Sequence, residues 1–186
     1  MKLFAFAIVA LLPLLAAAQE IRFTAEQRLE FPENYREWIF LSSGRGMTYG
    51  PAADPHGAPL FDNVFVSPAA YRSFVKTGRW PEKSAFILEI RNAKTEGSIN
   101  KGGQFQTDVT AVEVLVKDTK RFTDTDGWGF FEFGTGRKPA EKLAKTASCY
   151  ACHSKNAAVE HTFVQFYPTL IPIATAHKTM KATARH

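Results

Sequence analysis

Residues 109–117 read VTAVEVLVK, a run in which every second residue from 112 to 116 is a valine. This period of two is typical of a β-strand. The valines at 112, 114 and 116 share one face of the predicted strand, and Ala111, Glu113 and Leu115 share the other. Residues 86–91, FILEIR, predict a second strand, and the glycine-rich segment 97–103 fits the loop between the two. The pattern therefore predicts a pair of antiparallel strands.

Further strands and short helices are predicted on both sides of this pair. The other predicted strands cover residues 62–67, 128–133 and 162–167. The predicted helices cover residues 31–40, 68–77 (after an N-cap at Ser67 and before Gly78), 139–146 and part of the tail after Pro168. Without an internal repeat, these elements predict a single α+β domain dominated by an antiparallel β-sheet, with a few short helices.

The composition is that of an ordinary globular protein. Of the 186 residues, 45% are apolar and 22% are charged, which excludes a disordered tail or a collagen-like fibre. The formal charge is +5, and the basic residues form no cluster. Nucleic acid is therefore an unexpected partner.

The first eighteen residues have the features of an export signal. Lys2 supplies a positive charge, residues 3–12 are an unbroken apolar run, and small residues at 16–18 precede Gln19. We therefore predict a signal peptide at 1–18, a mature domain at 19–186 and a periplasmic or secreted location. An uncleaved anchor is the alternative, although the uncharged stretch 3–18 is shorter than the about 20 residues that span a bilayer. No membrane span is expected after cleavage.

Residues 149–153, Cys-Tyr-Ala-Cys-His, form the C-x-x-C-H signature of covalent c-type haem attachment. Thiols at Cys149 and Cys152 can add to the two vinyl groups at one porphyrin edge, and His153 can then bind the iron as proximal ligand. A redox dithiol, a structural zinc site and a plain disulfide are the alternatives. The motif lies late in the chain, no second Cys/His pair has the spacing of a zinc site, and a disulfide would not need His153. One covalently attached haem c is the favoured cofactor.

The sequence offers several candidates for the ligand at the sixth coordination position of the iron. Met47 lies in the glycine- and proline-rich segment 41–61, a predicted long loop that could fold over the haem, whereas Met180 lies in a polar tail. His161, at the entry to a predicted strand, is expected at the surface or at a sheet edge. The remaining histidines lie in the loop or the tail, at positions 56, 177 and 186. We expect an open or weakly ligated distal face, with Met47 as the alternative axial ligand of a plain electron-transfer cytochrome.

Several motifs in this order resemble the cytochrome P-460 family, which includes the β-sheet cytochromes c′. The motifs are FPENYREW (31–38), GRWPEKSAFILEIR (78–91), VEVLVKD (112–118), GWGFFEF (127–133) and SCYACHSKNAAVEHTFVQFYPTL (148–170). The resemblance implies an exported, often homodimeric cytochrome with a five-coordinate haem and a possible redox-partner cytochrome. It also implies a small gaseous or nitrogen-oxide ligand: enzymes of the family oxidise hydroxylamine, whereas the c′-type members bind nitric oxide.

One departure from the family pattern bears on activity. The enzymes carry a lysine cross-linked to the porphyrin, and the resemblance places this position at Leu88, which cannot form the link. Lys83 precedes the strand and Lys76 lies on the preceding helix. Glu113 is the candidate counterpart of the family's distal carboxylate, and Phe86, on the strand face of Leu88, is a candidate cap over the iron. A solvated Glu113 and a plain core Phe86 are the alternatives. The sequence thus favours the gas-binding branch over a cross-linked enzyme.

Overall fold

The computed structural model describes residues 21–48 and 59–182, so the predicted signal peptide lies outside the described residues. Five strands form one antiparallel sheet in which each strand pairs with the next one along the chain. The strands are β1 (Ile39–Arg45), β2 (Phe61–Val66), β3 (Ala85–Lys94), β4 (Phe105–Lys117) and β5 (Trp128–Gly134). The strands predicted at 62–67, 86–91, 109–117 and 128–133 are confirmed.

Three short α-helices accompany the sheet, so the α+β class is confirmed. They are α1 (Pro68–Thr77), α2 (Ser148–Asn156) and α3 (Ile171–Ala176). Single 3₁₀ turns lie at Tyr35–Glu37, Thr123–Thr125 and Val164–Phe166. In the described ranges, no helix combines the length and the apolar character that a membrane crossing requires.

The helix predicted at 31–40 is wrong. Only Tyr35–Glu37 is helical, as one 3₁₀ turn, and the chain is extended from Trp38 onward. Ile39 and Phe40 enter β1, which continues into the segment predicted as a loop and pairs with β2. The pairing partner overrides local helical propensity here, because β1 gains backbone hydrogen bonds along β2.

Two predictions near the motif are also wrong. Residues 162–167 do not form a strand: Thr162 makes one isolated bridge to Val159, and a 3₁₀ turn follows. Val164 and Tyr167 are both buried, at the spacing of three that such a turn places on one side. Residues 139–146 do not form a helix, because Lys142 bridges to Phe131 at the edge of β5 and keeps this segment extended.

The two faces of the sheet pack against different groups of residues. The face that carries the alternating valines of β4 forms one dry core with Ile87 and Phe131. Leu115 belongs to the second core, on the other face, together with Phe86 and Phe130. The alternation in residues 109–117 is thus confirmed, and Glu113 lies on the face of Leu115.

Helix α1 ends at Gly78, which adopts the left-handed conformation with φ 66°. A β-carbon at this position would lie 2.5 Å from Cβ of His177, next to α3. The glycine therefore allows both the helix end and the close packing of the C-terminal segment.

Gly78→Ala is expected to lower the free energy of unfolding by more than about 1 kcal/mol, because the substitution adds backbone strain to a steric clash. Urea unfolding followed by far-UV circular dichroism measures the change. Gly102→Ala is the matched control, since a β-carbon there meets no atom within 4 Å. An equal loss of stability in both variants would contradict the explanation.

Candidate functional site

Helix α2 carries all three residues of the C-x-x-C-H motif. Cys149 and Cys152 lie three positions apart, so both thiols project from the same side of the helix, and both line the same cavity. Neither cysteine forms a disulfide. None of the residues of α2 is fully buried, because the helix covers the cavity as an outer wall.

The orientation of His153 leaves one ring nitrogen for a metal. Its Nδ1 lies 2.7 Å from the backbone carbonyl oxygen of His161, and because a carbonyl can only accept, Nδ1 must carry the proton. The lone pair is then on Nε2. Burial lowers the pKa of His153, which favours the neutral imidazole that metals bind. Phe163 and Phe130 pack against the ring, with centroids 4.4 and 5.0 Å away.

The residues on both sides of His161 accept hydrogen bonds from Trp80, in the turn before β3, and from the end of β4. Trp80 Nε1 donates to Thr162 Oγ1 at 2.8 Å, and the Trp80 backbone N–H donates to Glu160 Oε1 at 3.2 Å. Lys117, at the end of β4, donates from Nζ to Glu160 Oε2 at 2.6 Å. The acceptor of the His153 proton is therefore positioned by the residues on each side of it.

A cavity of about 570 Å³ separates α2 and the following segment from the sheet. The helix side contributes the motif residues together with Phe163, Phe166 and Tyr167. The sheet side contributes a row of directly paired residues that crosses the strands from β1 to β5: Ser42, Val64, Leu88, Glu113 and Glu132. Most of the remaining lining is apolar, as a porphyrin requires.

The structure brings the predicted distal residues to this cavity. Leu88 and Glu113 are cross-strand neighbours in the row. Phe86 also lines the cavity, but it is only 4% exposed and packs between Trp80 and Trp128, with ring centroids 4.7 and 6.2 Å away. Phe86 therefore belongs to the aromatic core as well as to the cavity wall.

Two further carboxylates, which the sequence did not point to, also line the cavity. Glu132 on β5 lies directly opposite Glu113, and Asp62 on β2 lies in the neighbouring row. Burial, together with the charges of Glu132 and Asp62, raises the pKa of Glu113, and burial raises the pKa of Asp62. The only sequence signal for Glu132 is its place as the single charged residue in WGFFEF, and it becomes informative once the register with β4 is known.

The candidates for a sixth ligand have different positions. Met47 lines the cavity, and its Sδ lies against Gly44 of β1. Met180 is buried in the core near Thr175 and does not line the cavity. His177 lies next to Gly78, outside the cavity lining. His56 and His186 lie outside the described residues.

The prediction that His161 lies at the surface or a sheet edge is wrong. The residue is only 7% exposed and stacks on Tyr150, with ring centroids 5.5 Å apart. Hydrogen bonds from Trp80, in the turn between α1 and β3, to its neighbours Glu160 and Thr162 hold this segment inward.

Lysines are absent from the cavity lining within the described part of the chain. Lys76 is exposed on α1, and Lys83 is exposed beside Asp118, with which it forms an ion pair. Neither lysine reaches the cavity.

The alternatives to haem fit this site poorly. Burial and the charges of Glu113 and Glu132 raise the pKa of Cys149, whereas redox-active dithiols need a lowered one. Over residues 21–48 and 59–182, no group of three or more metal-binding side chains is arranged around a common point, as a zinc site requires. Two thiols and a neutral imidazole on the wall of an apolar cavity fit a haem.

Glu113→Gln is expected to have a higher free energy of unfolding than the wild type. The difference should grow as the pH rises from 4 to 8. A raised pKa in the folded state means that Glu113 stabilises the fold below its unfolded pKa and that this stabilisation is lost as the group ionises. Glutamine does not titrate, so the difference between variant and wild type should grow with pH. Urea unfolding at several pH values measures it. Glu96→Gln, at an exposed site outside the cavity, is the control, and a pH-independent difference for Glu113→Gln would contradict the expectation.

The fold and the site agree with one comparison with known proteins. Residues 32–164 match the family description Cytochrome P460, and this range contains all five strands, α1 and α2. The comparison with curated proteins finds no match. The family match confirms the resemblance read from the sequence motifs and implies haem binding. The chain therefore belongs to the cytochrome P460 family and is a haem-binding cytochrome.

Proposed function

We propose that this protein is an exported c-type cytochrome with one haem, held by thioether bonds to Cys149 and Cys152 and by Nε2 of His153. The other axial position is open and takes nitric oxide or another small nitrogen oxide. Export through residues 1–18 to the periplasm or beyond belongs to the proposal, because c-type haem is attached outside the cytoplasm. A redox-partner cytochrome and a homodimer are expected from the family.

The observation that supports an open position is the composition of the sheet wall. Among the described residues on this side of the cavity, Met47, just after β1, is the only one of the usual strong axial ligands, since the others are apolar, carry carboxylates or, at Ser42, carry a hydroxyl. A bound haem would supply an iron that binds small gases and exchanges electrons. The apolar residues of the wall, such as Val64 and Leu88, keep the space next to such a ligand dry.

The absence of a described cavity lysine favours ligand binding over hydroxylamine oxidation. Leu88, at the position where the family resemblance places the cross-link, cannot bond to a porphyrin carbon. Glu113 lies beside Leu88 in the row, and its raised pKa suits a group that accepts a proton from a bound N–H. We therefore propose weak or absent turnover of hydroxylamine, with Glu113 as the proton acceptor for any that remains.

Covalent attachment is tested by mass and by denaturing electrophoresis. The intact mass should equal the chain from Gln19 onward plus one haem, and the denatured protein should keep its haem stain. Cys149→Ala combined with Cys152→Ala should abolish that stain, because both thioether bonds are lost. Extraction of the wild-type haem by acidified organic solvent would contradict attachment. A tryptic peptide with haem on Lys76 or Lys83 would restore the cross-linked enzyme.

A second candidate function, electron transfer with Met47 as axial ligand, is favoured by the position of Met47 on the cavity wall. For the open-site proposal, Met47→Ala should leave the ferrous spectrum high-spin and close to that of the wild type. Met180→Ala is the control for loss of a buried thioether outside the cavity. Conversion of a low-spin to a high-spin spectrum by Met47→Ala alone would establish the electron carrier instead.

A further inference from the structure

We propose that the cavity selects its ligand by charge: it admits neutral and protonated nitrogen compounds and repels anions such as azide or nitrite. The inference rests on the proposed open axial position, and it assigns the selectivity to Asp62, Glu113 and Glu132. Together they give the sheet side of the cavity a negative charge, which the surrounding apolar residues do not neutralise.

The three carboxylates lie on one face of the sheet, close to one another. Glu113 and Glu132 are directly paired across β4 and β5, a position in which Cβ atoms are about 4.5–5.5 Å apart. Asp62 pairs with Ile90, two residues along β3 from Leu88, the partner of Glu113. All three residues line the cavity that also contains the motif. A ligand between the sheet and α2 therefore meets them together.

No opposite charge balances these groups within the described residues. No hydrogen bond or ion pair joins the three carboxylates to other described residues, only burial and like charges act on Asp62 and Glu113, and the described cavity lining contains neither arginine nor lysine. Among the described lining residues, His153 is the only basic one, and its Nδ1–H is donated to the carbonyl oxygen of His161 rather than to a carboxylate. The wall is therefore negative without compensation.

A buried carboxylate on the opposite face of the same sheet has partners of opposite charge, unlike those at the cavity. Glu89 is 1% exposed, forms ion pairs of 2.5 Å with Arg36 and Arg91, and accepts a hydrogen bond from Tyr35. These partners hold the pKa of Glu89 below its usual value. Directly opposed, unpaired carboxylates destabilise a sheet, so their presence at the cavity indicates a use there.

The size of the effect follows from Coulomb's law. At an effective dielectric constant of about 20, one ionised carboxylate within about 10 Å weakens the binding of an anion about tenfold or more. A neutral ligand such as nitric oxide feels almost none of this repulsion. Burial is the main cause of the raised pKa of Glu113, and the charges of Glu132 and Asp62 raise it further.

The test compares one anion and one neutral ligand on the same ferric, haem-loaded protein at pH 8. Azide and nitric oxide are titrated spectroscopically against the wild type, Glu113→Gln and Glu132→Gln. Each substitution should tighten azide binding about tenfold and change nitric oxide binding less than about twofold. Glu96→Gln removes the same charge from an exposed site outside the cavity and should change neither affinity.

The midpoint potential of the haem gives a second readout. It should rise in both cavity variants, because loss of a negative charge destabilises the ferric state, and it should stay unchanged in Glu96→Gln. Asp62→Asn, in the neighbouring row, provides the same test if either glutamate variant does not fold.

The outcomes separate the two proposals. Failure of nitric oxide to bind the wild type would overturn the open site. Normal nitric oxide binding, with azide affinity and potential unchanged in the folded cavity variants, would overturn charge selectivity and leave the open site intact.

Discussion

The two-residue alternation of β4 is the constraint on which the rest of the molecule depends. Its valines at 112, 114 and 116 complete a dry core on one face, so the intervening residues must face the other way. Leu115 then joins the second core, and Glu113 reaches the cavity. A shift of register by one residue would bury Glu113 among the valines, so the hydrophobic pattern also fixes the position of the carboxylate.

The segment that follows α2 is attached by hydrogen bonds to the end of β4 and to the turn before β3. Lys117, the last residue of β4, holds Glu160, and Trp80 holds both Glu160 and Thr162. The carbonyl between these anchors belongs to His161 and accepts the proton of His153 Nδ1. Nε2 of His153, the nitrogen proposed to bind the iron, is thus oriented in part from the end of the same strand that supplies Glu113, which couples both sides of the cavity to one element.

Carboxylates on the two faces of the sheet differ in whether they have partners of opposite charge. On one face Glu89 is paired with two arginines, and on the other face Glu113 and Glu132 oppose each other without a partner among the described residues. Apposed like charges weaken a sheet, and here they lie on the wall of the cavity that also contains the C-x-x-C-H motif.

The sequence alone determined the α+β class, four of the five strands, α1 with its end at Gly78, and the haem motif at Cys149, Cys152 and His153. These features are local, because they depend on periodicity, a capping residue or a fixed spacing. The tertiary structure decided what depends on pairing between distant segments. Strand β1 forms only because β2 lies beside it, and residues 162–167 form no strand because no described strand pairs with them along their length. The pairing of Glu132 with Glu113 likewise follows from strand register, and the burial of His161 follows from long-range hydrogen bonds of its neighbours. No local pattern specifies either.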